Sequence, residues 1–346
     1  MAFLNMDVNA AASMPPAAVE AMARAASGCK ASDARQIVES LRRRIAVEGG
    51  FELGRHPDAC DVAFTAGAND STKMIISAAA RAFAARTLRL PHVVLGPGEH
   101  PATLDHCREL AADRLCVMTV LRDHSAEQLR ASLQKSTCLV CVTAASGDTG
   151  SIVDVSALVA VAHSVGVPFH SDVSQLFGRT DFKIGKAKLD SAAISFGLFG
   201  GVSGSGALVV RRALVEGYGL GRLDSSDAPN LPALGAALAA LRGAPADAER
   251  PGLAIQARRL REFVCSALAG AGKIVTPRGN ALPNTILVAF PGGGADCIRA
   301  KLEAAGIIVG TPDRVPDDDR DKLVRISFAF NAELDDLQKL IDAFVA

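Results

Sequence analysis

Asp190-Ser191-Ala192-Ala193-Ile194-Ser195-Phe196-Gly197-Leu198-Phe199-Gly200-Gly201-Val202-Ser203-Gly204-Ser205-Gly206-Ala207-Leu208-Val209-Val210 is the stretch on which the fold turns. Its ends, Ser191 to Ser195 and Gly206 to Val210, are apolar runs of strand length. Similar runs precede it at Val62 to Thr65, His92 to Leu95, Leu115 to Met118, Thr137 to Thr143 and Pro168 to Asp172. Helical patterns fit between them, for example Ser71 to Ala84, Ser125 to Leu133 and Val155 to Ser164. This alternation predicts an α/β fold with a mainly parallel sheet covered by helices on both faces.

On the C-terminal side a polar stretch from Gly217 to Pro232 leads into helices near Leu234 to Leu241 and Ala246 to Ala269. The remainder reads strand, helix, strand, strand, helix: Thr285 to Phe290, Ala295 to Ala305, Ile307 to Val309, Leu323 to Phe328 and Ala332 to Phe344. We therefore expect a large domain over 13–269 and a small α+β domain formed by 1–12 with 270–346.

With 346 residues, 49% hydrophobic, 21% charged and a formal net charge of +0, the composition is that of a soluble globular protein. It gives no electrostatic reason to expect nucleic acid or an acidic membrane as partner. Arg42 to Arg44 read as a solvated helix face beside the apolar stripe Ile37, Val38, Leu41 and Ile45. The N-terminus has no basic and apolar leader pattern and no apolar run reaches about 18 residues, so a cytoplasmic location is expected. Eight scattered cysteines read as buried thiols of a reducing compartment. Cys138 and Cys141 match C-x-x-C inside a strand, where residues three apart should face opposite sides. The histidines show no metal-binding spacing.

Several segments, in order along nearly the whole chain, resemble cysteine desulfurases and other class V aminotransferase-like enzymes of the fold-type I pyridoxal phosphate (PLP) group. The resemblance implies a three-layer large domain, a small α+β C-terminal domain and a homodimer. Phe64-Thr65-Ala66-Gly67-Ala68-Asn69-Asp70 is similar to the family's phosphate-holding turn, implying a cofactor role for Ala68 and Asn69. A helix start favours an anion on physical grounds, although Asn69 or Asp70 would equally serve as an ordinary N-cap. Glu99-His100-Pro101-Ala102 looks like the motif whose histidine stacks on the pyridine ring. His170-Ser171-Asp172-Val173-Ser174-Gln175 resembles the segment whose aspartate pairs with the pyridine nitrogen and whose glutamine reaches the ring hydroxyl, so Asp172 and Gln175 are cofactor candidates. By itself Asp172 also reads as a helix N-cap. Ser195 matches a phosphate-holding serine, and Arg325, in Leu323-Val324-Arg325-Ile326-Ser327, matches the arginine that forks onto a substrate carboxylate.

The departures fall on the chemistry. In the family the 190–210 stretch carries a His-Lys pair whose lysine forms the Schiff base; here the pair is Gly197-Leu198, and a leucine has no nucleophile. The family asparagine that contacts the ring hydroxyl is replaced at Gly147, and the threonine that reaches the partner subunit's phosphate at Ala228, within Ser225 to Asn230. The mobile loop that bears the desulfurase cysteine corresponds to Thr311 to Asp321, which holds no thiol, so a persulfide cannot form there. Lys183, Lys186 and Lys188 are expected to lie away from the ring. The resemblance thus favours a catalytically degenerate member with no catalytic residue, binding PLP or an amino-acid-like ligand non-covalently. Two alternatives stand beside it: a transferase or lyase with a lysine-independent mechanism using His100, and a non-catalytic scaffold or partner of an active relative.

Overall fold

Residues 3–28, 30–54, 56–220, 230–290, 294–312 and 320–345 are described in a computed structural model. In chain order the elements are β1 (Leu4–Met6), α1 (Pro16–Ala26), α2 (Ala31–Gly49), β2 (Cys60–Thr65), α3 (Ala68–Thr87), β3 (His92–Leu95), α4 (Pro101–Ala112), β4 (Val117–Val120), α5 (Ala126–Ser132), β5 (Thr137–Cys141), α6 (Val155–His163), β6 (Phe169–Asp172) and β7 (Ser191–Ser195). They continue as β8 (Gly206–Arg211), α7 (Arg212–Gly217), α8 (Leu231–Gly243), α9 (Arg250–Leu268), β9 (Lys273–Ile274), β10 (Thr285–Ala289), α10 (Ala295–Ala304), β11 (Ile307–Val309), β12 (Leu323–Ser327) and α11 (Leu334–Val345).

The strands β7 and β8 lie inside a seven-stranded sheet of order β2-β8-β7-β6-β5-β3-β4. Only β8 runs against its neighbours; every other pairing is parallel. Its central strands are apolar on both faces because both are covered. Val94, Val140 and Ile194 meet Leu41 and Ile45 of α2, Leu158 of α6 and Leu241 of α8. The alternate residues Val93, Leu95, Leu139 and Leu208 meet Ile75, Ile76 and Ala79 of α3. The α/β class with a helix layer on each face follows from this two-sided burial.

A second core lies around the antiparallel sheet β12-β10-β9 and the parallel pair β1–β11. It takes Ala257, Val264 and Leu268 from α9, Leu302 from α10, and Leu337, Leu340 and Phe344 from α11. The N-terminal segment reaches it through β1, whose residues Leu4 to Met6 pair with Ile307 to Val309.

Three sequence expectations are corrected. Arg42 and Arg44 are not a solvated face: Arg42 donates to the Val62 carbonyl and lies over the Phe64 ring, and Arg44 donates twice to the Leu241 carbonyl. Both are half-buried tethers of α2. Cys138 and Cys141 belong to the same core, because the register between β3 and β5 slips between His92 and Val93 and the bulge turns Cys138 inward. The strand expected from Leu115 starts at Val117, since Arg114 adopts a left-handed φ of 58° and the Leu115 N–H closes back onto the Leu110 carbonyl of α4.

At Gly206 the sheet touches the turn that precedes α3. A Cβ there would collide with the Ile194 carbonyl oxygen and come within 2.7 Å of the Gly67 Cα, all of it backbone that cannot rotate away. Gly206→Ala is therefore expected to cost about 2–3 kcal/mol by overpacking, readable as a lowered urea midpoint. A variant as stable as the wild type would show that the turn can move.

Candidate functional site

The parallel strands end on one side of the sheet, and the connections leaving those ends form a cleft of about 650 Å³. Clefts at the carboxyl ends of parallel strands are where this architecture holds ligands. All seven residues singled out from the sequence, Ala68, Asn69, His100, Asp172, Gln175, Ser195 and Arg325, line it together with Leu198. Lys183, Lys186 and Lys188 do not.

One wall is the start of α3. Its N-cap is Gly67, with φ 142° and no side-chain cap, so the expected N-cap roles of Asn69 and Asp70 are not taken. Asp70 instead accepts the Ala66 N–H at 3.2 Å, and the Thr65 and Ser71 hydroxyls bond each other at 2.8 Å. The first N–H groups of a helix have no intrahelical acceptor, and with the helix dipole they favour an anion beside Ala68 and Asn69.

His100 caps α4, its Nδ1 accepting the Ala102 N–H at 3.1 Å. A neutral ring so placed carries its proton on Nε2. The preceding Glu99 is 3% exposed and takes both the N–H and the hydroxyl of Thr143, at 2.6 and 2.9 Å. This buried carboxylate pins the end of β3 to the end of β5 and so fixes the backbone that presents His100.

Asp172 ends β6 half-buried, and its Oδ1 accepts the Ser174 N–H at 2.9 Å. No helix follows Asp172, so the N-cap reading is corrected: its carboxylate braces a turn, and it lines the cleft. Two residues back, His170 is fully buried between the Thr72 and Ser191 hydroxyls, at 3.1 and 2.8 Å. Gln175 is held from both ends: its Nε2 donates to the Asn9 carbonyl at 2.9 Å and its Oε1 accepts from Arg179 at 2.6 Å. It also occupies the space of an absent side chain, since a Cβ on Gly147 would meet Gln175 Nε2. Ser195 anchors through its N–H to the Ser174 hydroxyl at 2.9 Å.

Leu198 is 8% exposed in a short 3-10 turn, Phe196–Phe199, that follows β7. A histidine at the neighbouring Gly197 would not fit as the chain stands, because a Cβ there lies 2.7 Å from the Ser203 hydroxyl.

Arg325 is 5% exposed and already paired. Its Nε and Nη2 fork onto Asp7, at 2.9 and 3.2 Å, and its Nη1 bonds Asp148. The sequence reading placed a ligand carboxylate on this guanidinium; the folded chain puts two of its own carboxylates there. Asp7, Asn9 and Lys73 were missed as site residues. Lys73 lies one turn beyond Asn69, on the same face of α3, half-buried and lining the cleft. The spacing of Asn69 and Lys73 was the signal that would have found it. Ala228 and positions 313–319 of the loop expected to carry a cysteine lie outside the described residues.

A mostly parallel sheet with a cleft of this kind is the architecture of the fold-type I PLP transferases. A solved NifS-like protein superposes with a TM-score of 0.85 over 99% of this chain and 98% of its own, at 23% identity, which speaks for the fold. The chain belongs to the class V aminotransferase family, whose pattern matches residues 5–220. It is 33% identical over 264 residues, 69% of this chain, to the IscS-like cysteine desulfurase of Mycobacterium tuberculosis. To the cysteine desulfurase IscS of Anaeromyxobacter sp. it is 29% identical over 276 residues, 74% of this chain. This chain spans 64% of the length of each of those two relatives. The family depends on PLP.

Burial pulls the His170 imidazole down from its usual 6.5 to about 3. Unfolding frees it to take a proton, so below about pH 6.5 the unfolded state gains protons that the folded state refuses. Stability is then lost as pH falls, by up to about 1.4 kcal/mol per pH unit. In urea unfolding between about pH 6 and pH 4.5, His170→Asn is expected to flatten the slope by that amount; equal slopes would mean that the imidazole is not held neutral.

Proposed function

We propose that this protein is a catalytically degenerate class V aminotransferase-like member that holds a PLP-type ligand without a covalent link. The observation that carries the reading is Leu198: an aliphatic side chain lines the cleft beside Asp172 and Ser195, where the family motif places the lysine. The cleft otherwise suits the group. The N–H groups at Ala68 and Asn69, with the Ser195 hydroxyl, would take the phosphate, and Asp172 would face the pyridine nitrogen. Gln175 would contribute little to the ring hydroxyl, because its oxygen and one N–H are engaged within the protein. When bound, PLP supplies an electron sink for chemistry at an amine carbon; this chain places no amine at 198 to begin it.

His100 supports the same reading over a lysine-independent enzyme. Its Nδ1 is engaged in accepting the Ala102 N–H, so that nitrogen is committed within the protein. A homodimer, as the resemblance implies, is part of the proposal.

Lys73 is the lysine that lines the cleft among the described residues. Helical side chains lean toward the N-terminus, which brings its ammonium over the first turn of α3 and makes it a phosphate contact. Equilibrium dialysis with PLP is expected to show saturable binding. Borohydride treatment followed by peptide mapping should leave the cleft without a phosphopyridoxyl adduct, whereas Leu198→Lys should acquire one at 198. An adduct on Lys73 of the wild type would sink the reading, and an absence of binding at millimolar PLP would favour a bare scaffold. Separately, Lys73→Gln is expected to weaken PLP binding about tenfold, the loss of one charge-assisted contact.

A further inference from the structure

We propose that the apolar hollow behind Leu198 is a second ligand site, separate from the cleft, and that it takes an apolar monocarboxylate whose charged end meets Arg179. The site is independent of the PLP-type reading of the cleft.

The hollow, of about 580 Å³, lies between the N-terminal segment, the turn that holds Leu198, the end of α8, the start of α9 and the chain after β12. Phe3, Leu4, Val8, Phe199, Leu253 and Phe330 give it apolar walls, which suit a hydrocarbon or aromatic body. Its side-chain charge has one sign: among the described residues Arg179 and Arg250 border it, and no aspartate or glutamate does. The last turn of α8 adds partial negative charge to one wall, while the first turns of α1 and α9 add partial positive charge to others. Arg250 is already spent, forked onto Glu48 and 2.9 Å from Asp247.

Arg179 is not spent. Its Nη1 donates to Gln175 Oε1 at 2.6 Å and its Nη2 to Asn9 Oδ1 at 3.0 Å, both neutral amides, and its guanidinium carbon lies 5.4 Å from the centre of the Phe330 ring. These contacts use two of its five N–H groups. Burial draws its pKa below the usual guanidinium range, to about 10, and no neighbouring carboxylate draws it back. At neutral pH it is therefore a cation, partly taken out of water and resting on neutral acceptors, and such a charge gains most from an anion. The guanidinium is also set before any ligand arrives. Gly178 turns the chain with φ 72°, the Arg179 N–H closes on the Leu176 carbonyl at 3.2 Å, and the two amides fix the fork, so little ordering is left for binding to impose.

Octanoate and octanamide, which share a tail and differ in charge, test this by calorimetric titration into the full chain. Octanoate is expected to bind wild type at least about tenfold more tightly than octanamide, the scale of one charge-assisted contact. Arg179→Met should erase that preference and bring octanoate to the level of octanamide. Leu253→Glu leaves Arg179 and its amide partners in place and sets a carboxylate on the wall of the hollow. It should weaken octanoate about tenfold and octanamide far less, and it is the second variant should the first fail to fold. No octanoate binding at millimolar concentration, equal binding of the two probes, or a preference unmoved in both variants overturns the proposal. Displacement of octanoate by PLP would put it in the cleft and overturn the separate site, whereas the other failures leave the reading of the cleft untouched.

Discussion

The Arg325 cluster is the constraint on which the cleft depends. It joins three parts of the chain that are far apart in sequence: the N-terminal segment through Asp7, the loop after β5 through Asp148, and the second sheet through β12. Asn9, two residues from Asp7, extends the seam. Its amide donates to the Gly147 carbonyl and the Thr285 hydroxyl, its side-chain oxygen accepts from Arg179, and its backbone carbonyl accepts from Gln175. A buried ion pair is weak as a net source of stability, but removing one partner strands the other and costs about 3–5 kcal/mol. Its main effect is on geometry: the network ties the N-terminal segment, the loop after β5 and β12 to one another.

That network explains how the walls of the cleft are held in place. At Gly147 and Gly197 a neighbour stands where a Cβ would lie, Gln175 in one case and Ser203 in the other. Neither position could recover a larger side chain without displacing its neighbour. Asp172, Ser195 and the start of α3 sit at the ends of strands and a helix whose placement is dictated by the sheet core. The sheet fixes those backbone positions, so the helix start favours an anion whether or not a reaction is run.

The large sheet was legible in the sequence because its strands are short, apolar and separated by amphipathic helices, and β3, β7 and β11 begin and end where periodicity puts them. Other elements carry no local signal. The three-residue β1 becomes a strand only by pairing with β11, some three hundred positions away. In α1, only Ala18 is buried, and the helix packs through small residues so closely that the Ala21 carbonyl lies 3.3 Å from where a Cβ on Gly235 would be. Within the cleft, motif order singled out Asp172, Gln175 and Ser195, all of which line it. It was blind to what neutralises Arg325, because a salt bridge between positions 7 and 325 depends on tertiary placement and leaves no trace in spacing.

Leu198 has one more consequence, which comes from its surroundings. It lines the polar cleft on one side and, on the other, a second hollow of about 580 Å³ bordered by Phe3, Leu4, Val8, Phe199 and Leu253. A leucine is stable at such a partition because its whole side chain is apolar, and burying one is worth about 1.5–3 kcal/mol. A lysine could follow the same path with its methylenes, but its ammonium would have to emerge on the Asp172 side, since the apolar hollow would penalise the charge. Leucine at 198 therefore supplies a wall between the two hollows and no nucleophile. Leucine at 198 is thus a structurally comfortable residue for this fold.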